Sequence, residues 1–70
     1  MAHDEFDPTE PSRDPTFEDA VWVHFWLAKG GIISRIAGFL QCNQARITEI
    51  RKGRRHPGSR QAAMKRFGLA

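Results

Sequence analysis

The stretch Ile33–Lys52, ISRIAGFLQCNQARITEIRK, limits most strongly how this 70-residue chain can fold. It contains four apolar residues at i, i+3, i+4 and i+7, the spacing of one helix face. These residues are Ile33, Ile36, Ala37 and Leu40. The spacing predicts a helix over about Ile32–Leu40, and Gln41 and Cys42 then form a turn.

A further helix is predicted directly after this turn. Asn43 suits the N-cap position, because its side-chain oxygen can accept a hydrogen bond from a backbone N–H of the first turn. Ile47 and Ile50, three residues apart, are the predicted inward residues. We expect this helix to reach Arg51–Lys52 and to end before Gly53.

The preceding segment predicts an aromatic-rich first helix. It begins between Asp14 and Thr16, either of which suits a cap, with Pro15 in the first turn. It ends at Gly30–Gly31. Its expected inward stripe is Phe17, Val21, Phe25 and Ala28. His24 is expected at the edge of the core or facing solvent.

Trp22 and Trp26 form a second stripe on this helix. One helix of a small domain does not easily bury two apolar stripes, so we predict a dimer or partner surface at these residues. The alternative is that both indoles cover the small core from outside. A last short helix is predicted over residues 60–67, with Ser59 as its cap and Gly68 after its end. Its apolar face contains Ala63 and Phe67, with Met64 beside it.

The charges divide the chain into two parts. Residues 1–20 hold seven acidic residues and one basic, whereas residues 21–70 hold ten basic residues and one acidic. Such a basic body attracts polyanions. Residues 1–15 contain three prolines, five of the acids and one large apolar residue, Phe6. We expect them to be a disordered acidic tail, either merely solubilising or an arm that folds back on the basic body.

Other features restrict the class of protein. The single cysteine, Cys42, excludes an intramolecular disulfide framework and fits a reducing cytoplasm. The chain contains neither an apolar run of transmembrane length nor a secretory signal. The three histidines have neither ligand spacing with the cysteine nor a paired nucleophile. We therefore expect no enzyme activity, metal, cofactor, membrane contact or small-molecule substrate.

The pattern over residues 31–57 points to a known family. A helix-turn-helix needs a small residue where its helices touch and apolar residues facing inward on both. Ala37 supplies the small residue here. At these positions, and in the stretch NQARITEIRKGRRHP, the chain resembles the lambda-repressor-like (Cro/repressor type) helix-turn-helix DNA-binding family of small bacterial and phage regulators. It departs from that family at Gln41, a turn position where glycine is usual and where the resemblance implies a backbone with positive φ. It also departs at Ile32 and Ile33, where a polar cap and a glutamine are usual.

The resemblance implies an all-α domain over residues 16–70 that binds double-stranded DNA as a repressor-like regulator. The aromatic first helix and the small size add the prediction that the protein is a homodimer. Its recognition helix would be residues 43–52. The implied base contacts are Asn43, Gln44, Ala45, Thr48 and Glu49. The candidate phosphate-binding residues are Ser34, Arg35, Arg46, Arg51, Lys52, Arg54, Arg55 and Arg60. The implied location is the cytoplasm, on the nucleoid when the protein is bound to DNA.

Two points stay open at this stage. Glu49 either accepts a hydrogen bond from cytosine or pairs with Arg46 or Lys52 across one helical turn. The whole motif either contacts DNA or serves only as the scaffold of a protein-interaction adaptor of the antitoxin or anti-repressor type. RNA binding is a third hypothesis. We expect no exposed aromatic residue on the basic half of the chain, and this disfavours RNA binding because single-stranded RNA is bound by stacking its nucleobases on aromatic side chains.

Overall fold

The computed structural model describes residues 13–69, which contain four α-helices. They are α1 (Phe17–Ala28), α2 (Ile33–Leu40), α3 (Gln44–Arg51) and α4 (Ser59–Phe67). No β-strand occurs in this part of the chain. The prediction of an all-α, four-helix architecture is therefore confirmed. The acidic tail was predicted over residues 1–15, and residues 1–12 of it lie outside the described residues.

A reciprocal cap determines where α1 begins. Thr16 Oγ1 accepts a hydrogen bond from the Asp19 N–H, and Asp19 Oδ2 accepts one from the Thr16 N–H, both at 3.0 Å. This capping box satisfies two backbone donors. Pro15 precedes the cap and is buried, so it does not occupy the first turn as predicted. The Arg13 N–H donates to the Gln41 carbonyl at 3.0 Å, so residues 13–15 contact the helical body rather than belonging to the tail.

Two glycines end α1, as predicted. Gly30 has φ of 91°, and its N–H donates to the Leu27 carbonyl at 3.0 Å. The Gly31 N–H donates to the Trp26 carbonyl at 2.8 Å. These two bonds form a Schellman motif, which satisfies carbonyls that the helix end leaves without partners.

The turn between α2 and α3 has the predicted geometry. Gln41 lies in the left-handed region, with φ of 58° and ψ of 41°. The Cys42 N–H donates a hydrogen bond to the Ala37 carbonyl at 3.0 Å, and the Cys42 side chain is buried. Asn43 then caps α3, because its Oδ1 accepts a hydrogen bond from the Ala45 N–H at 2.8 Å. The turn therefore sets the direction of α3 relative to α2.

The core lies where α1, α2 and α3 meet. Its buried members are Ala20, Val23, Ile36, Ala37, Cys42, Ile47 and Ile50. Ile47 and Ile50 are fully buried, as their spacing predicted, and each such burial stabilises the fold by about 1.5–3 kcal/mol. Ala37, 3% exposed, is the small residue at the contact of the two helices.

The predicted inward stripe of α1 is partly wrong. Val21 is fully buried, but Phe17 is 45% exposed and Ala28 is exposed. The buried residues are instead Ala20, Val21, Val23 and His24. The reason is that α1 contacts α4 as well as α2 and α3, so its middle is covered on two sides while its ends remain accessible.

Helix α4 packs against α1 through a buried polar pair. His24 Nε2 lies 3.1 Å from Ser59 Oγ, and the two residues are 9% and 1% exposed. The prediction that Ser59 caps α4 is wrong, because Gly58 holds the cap position and the Ser59 hydroxyl is directed to the histidine. His24 is accordingly buried rather than at the core edge. Ala63 completes this contact and is fully buried.

Candidate nucleic-acid interface

The outward face of α3 is polar at its N-terminal end. Gln44 and Ala45 are exposed, and Thr48, one turn later, is half-buried. This face is opposite the buried pair Ile47 and Ile50, because residues i, i+1 and i+4 share one side of a helix. Three of the five residues predicted to contact bases therefore lie together on the accessible side of one helix.

Asn43 is also exposed, but part of its amide is already in use. Its Oδ1 caps α3 by accepting from the Ala45 N–H, so the side chain is held against the helix end. An asparagine recognises adenine with its oxygen and its NH₂ together. The cap thus favours Gln44 over Asn43 as the residue that makes a two-bond contact.

Glu49 belongs to an ion-pair network on the flank of α3. Its Oε1 accepts from Arg55 Nε at 3.0 Å and its Oε2 from Arg46 Nη2 at 3.2 Å. Arg55 Nη1 also donates to Asp14 Oδ1 at 3.0 Å. The hydrogen bond from Arg55 is the largest cause that holds the pKa of Glu49 below its ordinary value, and the charge of Arg46 adds to it.

This network bears on three of the predicted site residues. Both carboxylate oxygens of Glu49 accept from arginines of the same chain, which favours the internal pair over contact with cytosine. Arg46 and Arg55 are each bonded to an acid, so a DNA phosphate would have to compete for them. Arg46 Nε lies 3.1 Å from Glu49 Oε1 without a hydrogen-bonding angle, and it has no acceptor within the described residues. We therefore assign the Arg46 bond to Nη2.

The other predicted phosphate-binding residues are accessible. Ser34 and Arg35 are exposed in the first turn of α2. The remaining four are exposed at the end of α3, in the loop that follows and at the start of α4: Arg51, Lys52, Arg54 and Arg60. The five cations of this set form no ion pair with an acid within residues 13–69. We call these five residues the exposed basic set: Arg35, Arg51, Lys52, Arg54 and Arg60.

Arg60 also affects the buried histidine pair. The side chain lines a cleft with Arg51 and His24. Burial is the largest cause that lowers the pKa of His24, and the positive charge of Arg60 lowers it further. Both effects favour the neutral form of the His24 imidazole.

The two tryptophans lie in different surroundings. Trp22 packs on Phe67 of α4, with 4.9 Å between ring centroids, and its Nε1 donates to Glu18 at 3.2 Å. Trp22 therefore covers the contact of α1 with α4. This agrees, for Trp22, with the alternative that the indoles cover the small core from outside. The Trp26 ring lies beside Trp22, with 6.0 Å between ring centroids, and also contacts Phe39 of α2 at a centroid distance of 5.4 Å.

Two features of this surface were not predicted from the sequence: the exposure of Phe39 and the contact of Asp14 with Arg55. Phe39 is 74% exposed, and a signal was present, because it falls outside the i, i+3, i+4, i+7 face of α2. The contact of Asp14 with Arg55 gave no local signal, since 41 residues separate the partners. Contacts of this kind depend on how the helices pack.

The rest of the described chain contains little that suggests other chemistry. Within residues 13–69, no group of three histidine, cysteine or acidic side chains could hold a metal ion. Burial raises the pKa of the Cys42 thiol, as expected for a core cysteine. No helix of the described part is both long and apolar enough to cross a membrane.

Comparisons with known proteins add no relative. The chain matches no protein-family model, no curated protein and no solved structure.

Proposed function

We propose that this protein is a small, repressor-like transcriptional regulator of the lambda-repressor-like helix-turn-helix type, which binds a specific double-stranded DNA sequence. Helix α3 would enter the major groove, and α2 would lie across the phosphate backbone. One observation carries the proposal. Gln44 and Ala45 are exposed on the side of α3 away from its buried isoleucines, and three members of the exposed basic set (Arg51, Lys52 and Arg54) are exposed at the end of the same helix and in the loop after it.

Each part of that surface has a separate chemical role. Gln44 can form two hydrogen bonds with adenine, and the methyl groups of Ala45 and Thr48 can contact a thymine methyl. The exposed basic set would bind phosphates, which adds affinity without sequence preference. Glu49 would hold Arg46 and Arg55 in place on the flank of α3 instead of contacting a base.

The test begins with a selection of bound sequences from random duplexes. Gln44→Ala should weaken binding to the selected sequence by about 1–3 kcal/mol, roughly 5- to 150-fold, with little effect on random duplex. Arg54→Ala should weaken both about equally. Lys65→Ala removes one exposed positive charge from α4, outside the proposed interface, and serves as the matched control. Equal losses on selected and random DNA for Gln44→Ala would refute sequence-specific contact by α3.

Salt dependence gives a second measure of the same interface. If each member of the exposed basic set neutralises one phosphate, log affinity should fall with log salt at a slope of about −4.5. Recruitment of Arg46 and Arg55 from their acids would steepen the slope to about −6. Arg54→Ala should reduce the magnitude of the slope by about 0.9.

Homodimerisation on a two-fold site, and a cytoplasmic location with the protein on the nucleoid, belong to the same proposal. A two-fold pattern in the selected sequences would support the dimer. An adaptor that binds another protein is the second candidate, and the exposed aromatic surface of Trp26 and Phe39 favours it. A gel shift on random duplex at low salt discriminates between the two, since no shift at micromolar protein would favour the adaptor.

A further inference from the structure

An apolar groove lies between the C-terminal end of α1 and helix α2. The rings of Trp26 and Phe39 stand edge to face along it, and Gly31 and Ile36 also line it. Its volume is about 450 Å³, within the roughly 300–1,000 Å³ common for binding pockets. Phe39 is 74% exposed and Ile32, at the other end of α2, is 58% exposed. Large apolar side chains exposed together in this way mark interaction sites.

The charges around the groove select the kind of occupant. The ionisable residues that line it are Lys29 and Arg35, both basic. A second copy placed on the same groove by a two-fold axis would bring two such pairs of cations together, which is unfavourable. A segment that combines an aromatic side chain with acidic neighbours would match both the apolar lining and the cations.

The chain itself contains such a segment. Residues 1–12 hold one aromatic side chain that is not a histidine, Phe6, and it lies within the sequence Asp4-Glu5-Phe6-Asp7. The described chain begins at Arg13, whose N–H is bonded to the Gln41 carbonyl at the C-terminal end of α2. Gln41 is two residues beyond Phe39, so the segment connects to the domain close to one end of the groove.

The connection is long enough. Seven residues lead from Phe6 to Arg13, and an extended chain of that length spans up to about 25 Å. Helix α2, with eight residues, is about 12 Å long. We propose that Asp4–Asp7 binds this groove within the same chain, with the Phe6 ring against Trp26 and Phe39 and the carboxylates near Lys29 and Arg35. A short tether keeps the local concentration of the segment at about millimolar, so weak contacts suffice.

The two indole N–H groups provide the test, by NMR of the full chain. The unsubstituted chain should show cross-relaxation between the rings of Phe6 and Phe39, and Phe6→Ala should shift the Trp26 indole signal. The Trp22 indole donates to Glu18 and has its ring centroid 6.0 Å from that of Trp26, one ring further from the Phe39 side of the groove, so its signal should shift less than that of Trp26. Phe17→Ala is the matched control, since it truncates another exposed phenylalanine at the opposite end of α1. An unchanged Trp26 signal in Phe6→Ala would overturn the proposal.

A double-mutant cycle distinguishes the groove from other surfaces. In Phe39→Ala, which alters a side chain that is 74% exposed, the effect of Phe6→Ala on Trp26 should disappear. If the effect persists undiminished, Phe6 acts elsewhere and the proposal is wrong. The difference in tryptophan fluorescence between the unsubstituted chain and Phe6→Ala should stay the same after hundredfold dilution, because binding within one chain is independent of concentration. Loss of the difference on dilution would show binding to a neighbouring copy and overturn the intramolecular proposal.

Discussion

Substitution of Ser59 by alanine removes the hydroxyl that joins α4 to α1. The Ser59 Oγ lies 3.1 Å from His24 Nε2, and both residues are buried. In Ser59→Ala, His24 Nε2 loses this hydrogen-bond partner, and because the site is buried water has little access to replace it. A buried polar atom that loses its partner costs about 1–3 kcal/mol of folding free energy.

This cost is large for so small a domain. One kcal/mol shifts the unfolding midpoint of a 60–100-residue domain by roughly 4–8 °C. Ser59→Ala should therefore lower the midpoint by on the order of 5–20 °C at pH 7.5, measured by circular dichroism. Ser34→Ala makes the same substitution at an exposed position of α2 and should shift the midpoint by less than about 4 °C. Equal midpoints for the two variants would refute the claim that this hydrogen bond stabilises the α1–α4 contact.

The same pair should make stability depend on pH. Burial, followed by the charge of Arg60, lowers the pKa of His24 in the folded state, whereas the unfolded chain has the ordinary value of about 6.5. Below pH 6.5 the unfolded state thus binds more protons than the folded state. Stability from this group is present above pH 6.5 and falls as pH drops toward the folded pKa, by at most about 1.4 kcal/mol per pH unit. Urea unfolding between pH 5 and 8 measures this, and His24→Gln should remove the histidine's part of the slope.

Two backbone positions give further tests by urea unfolding. Gly31→Ala should destabilise the fold by about 1 kcal/mol or more, because the added Cβ would lie 2.8 Å from the Trp26 carbonyl oxygen. Gly38→Ala should instead stabilise α2 by about 0.5–1 kcal/mol, because a Cβ at Gly38 would meet no neighbouring atom within 4 Å. A stabilising Gly31→Ala would contradict the close approach. Gln41→Gly should stabilise the turn by up to about 1 kcal/mol, since Gln41 has φ of 58°; a loss of stability would show that the glutamine side chain contributes more than the strain costs.

Much of the local structure could be predicted because its causes are local. The spacing of the isoleucines in α2 and α3 depends on helix geometry alone, and both helices form where the spacing predicted. The ends of α1 follow from Thr16 and from Gly30–Gly31, which act within one or two turns. The left-handed turn at Gln41 was predicted from the resemblance to a known family and is present at φ of 58°.

The candidate site was predictable only in part. The outward position of Gln44 and Ala45 follows from the buried residues of the same helix, so periodicity sufficed. Arg46 was one of the predicted partners of Glu49, but Arg55 was not, because it reaches Glu49 only through the loop after α3. Helix pairing rules act over three or four positions and indicated Arg46 or Lys52. The structure adds Arg55, which lies six positions from Glu49 and outside the reach of those rules.

The sequence by itself determined the four helices, most of their ends, the inward residues of α2 and α3 and the division between an acidic start and a basic body. These depend on residue spacing, capping and composition, which act over a few positions. The tertiary structure alone decided the contacts of Ser59 with His24, of Arg55 with Asp14 and of Trp26 with Phe39. Such contacts join residues 13 to 41 positions apart, and they form only where helix packing brings the two side chains within bonding distance.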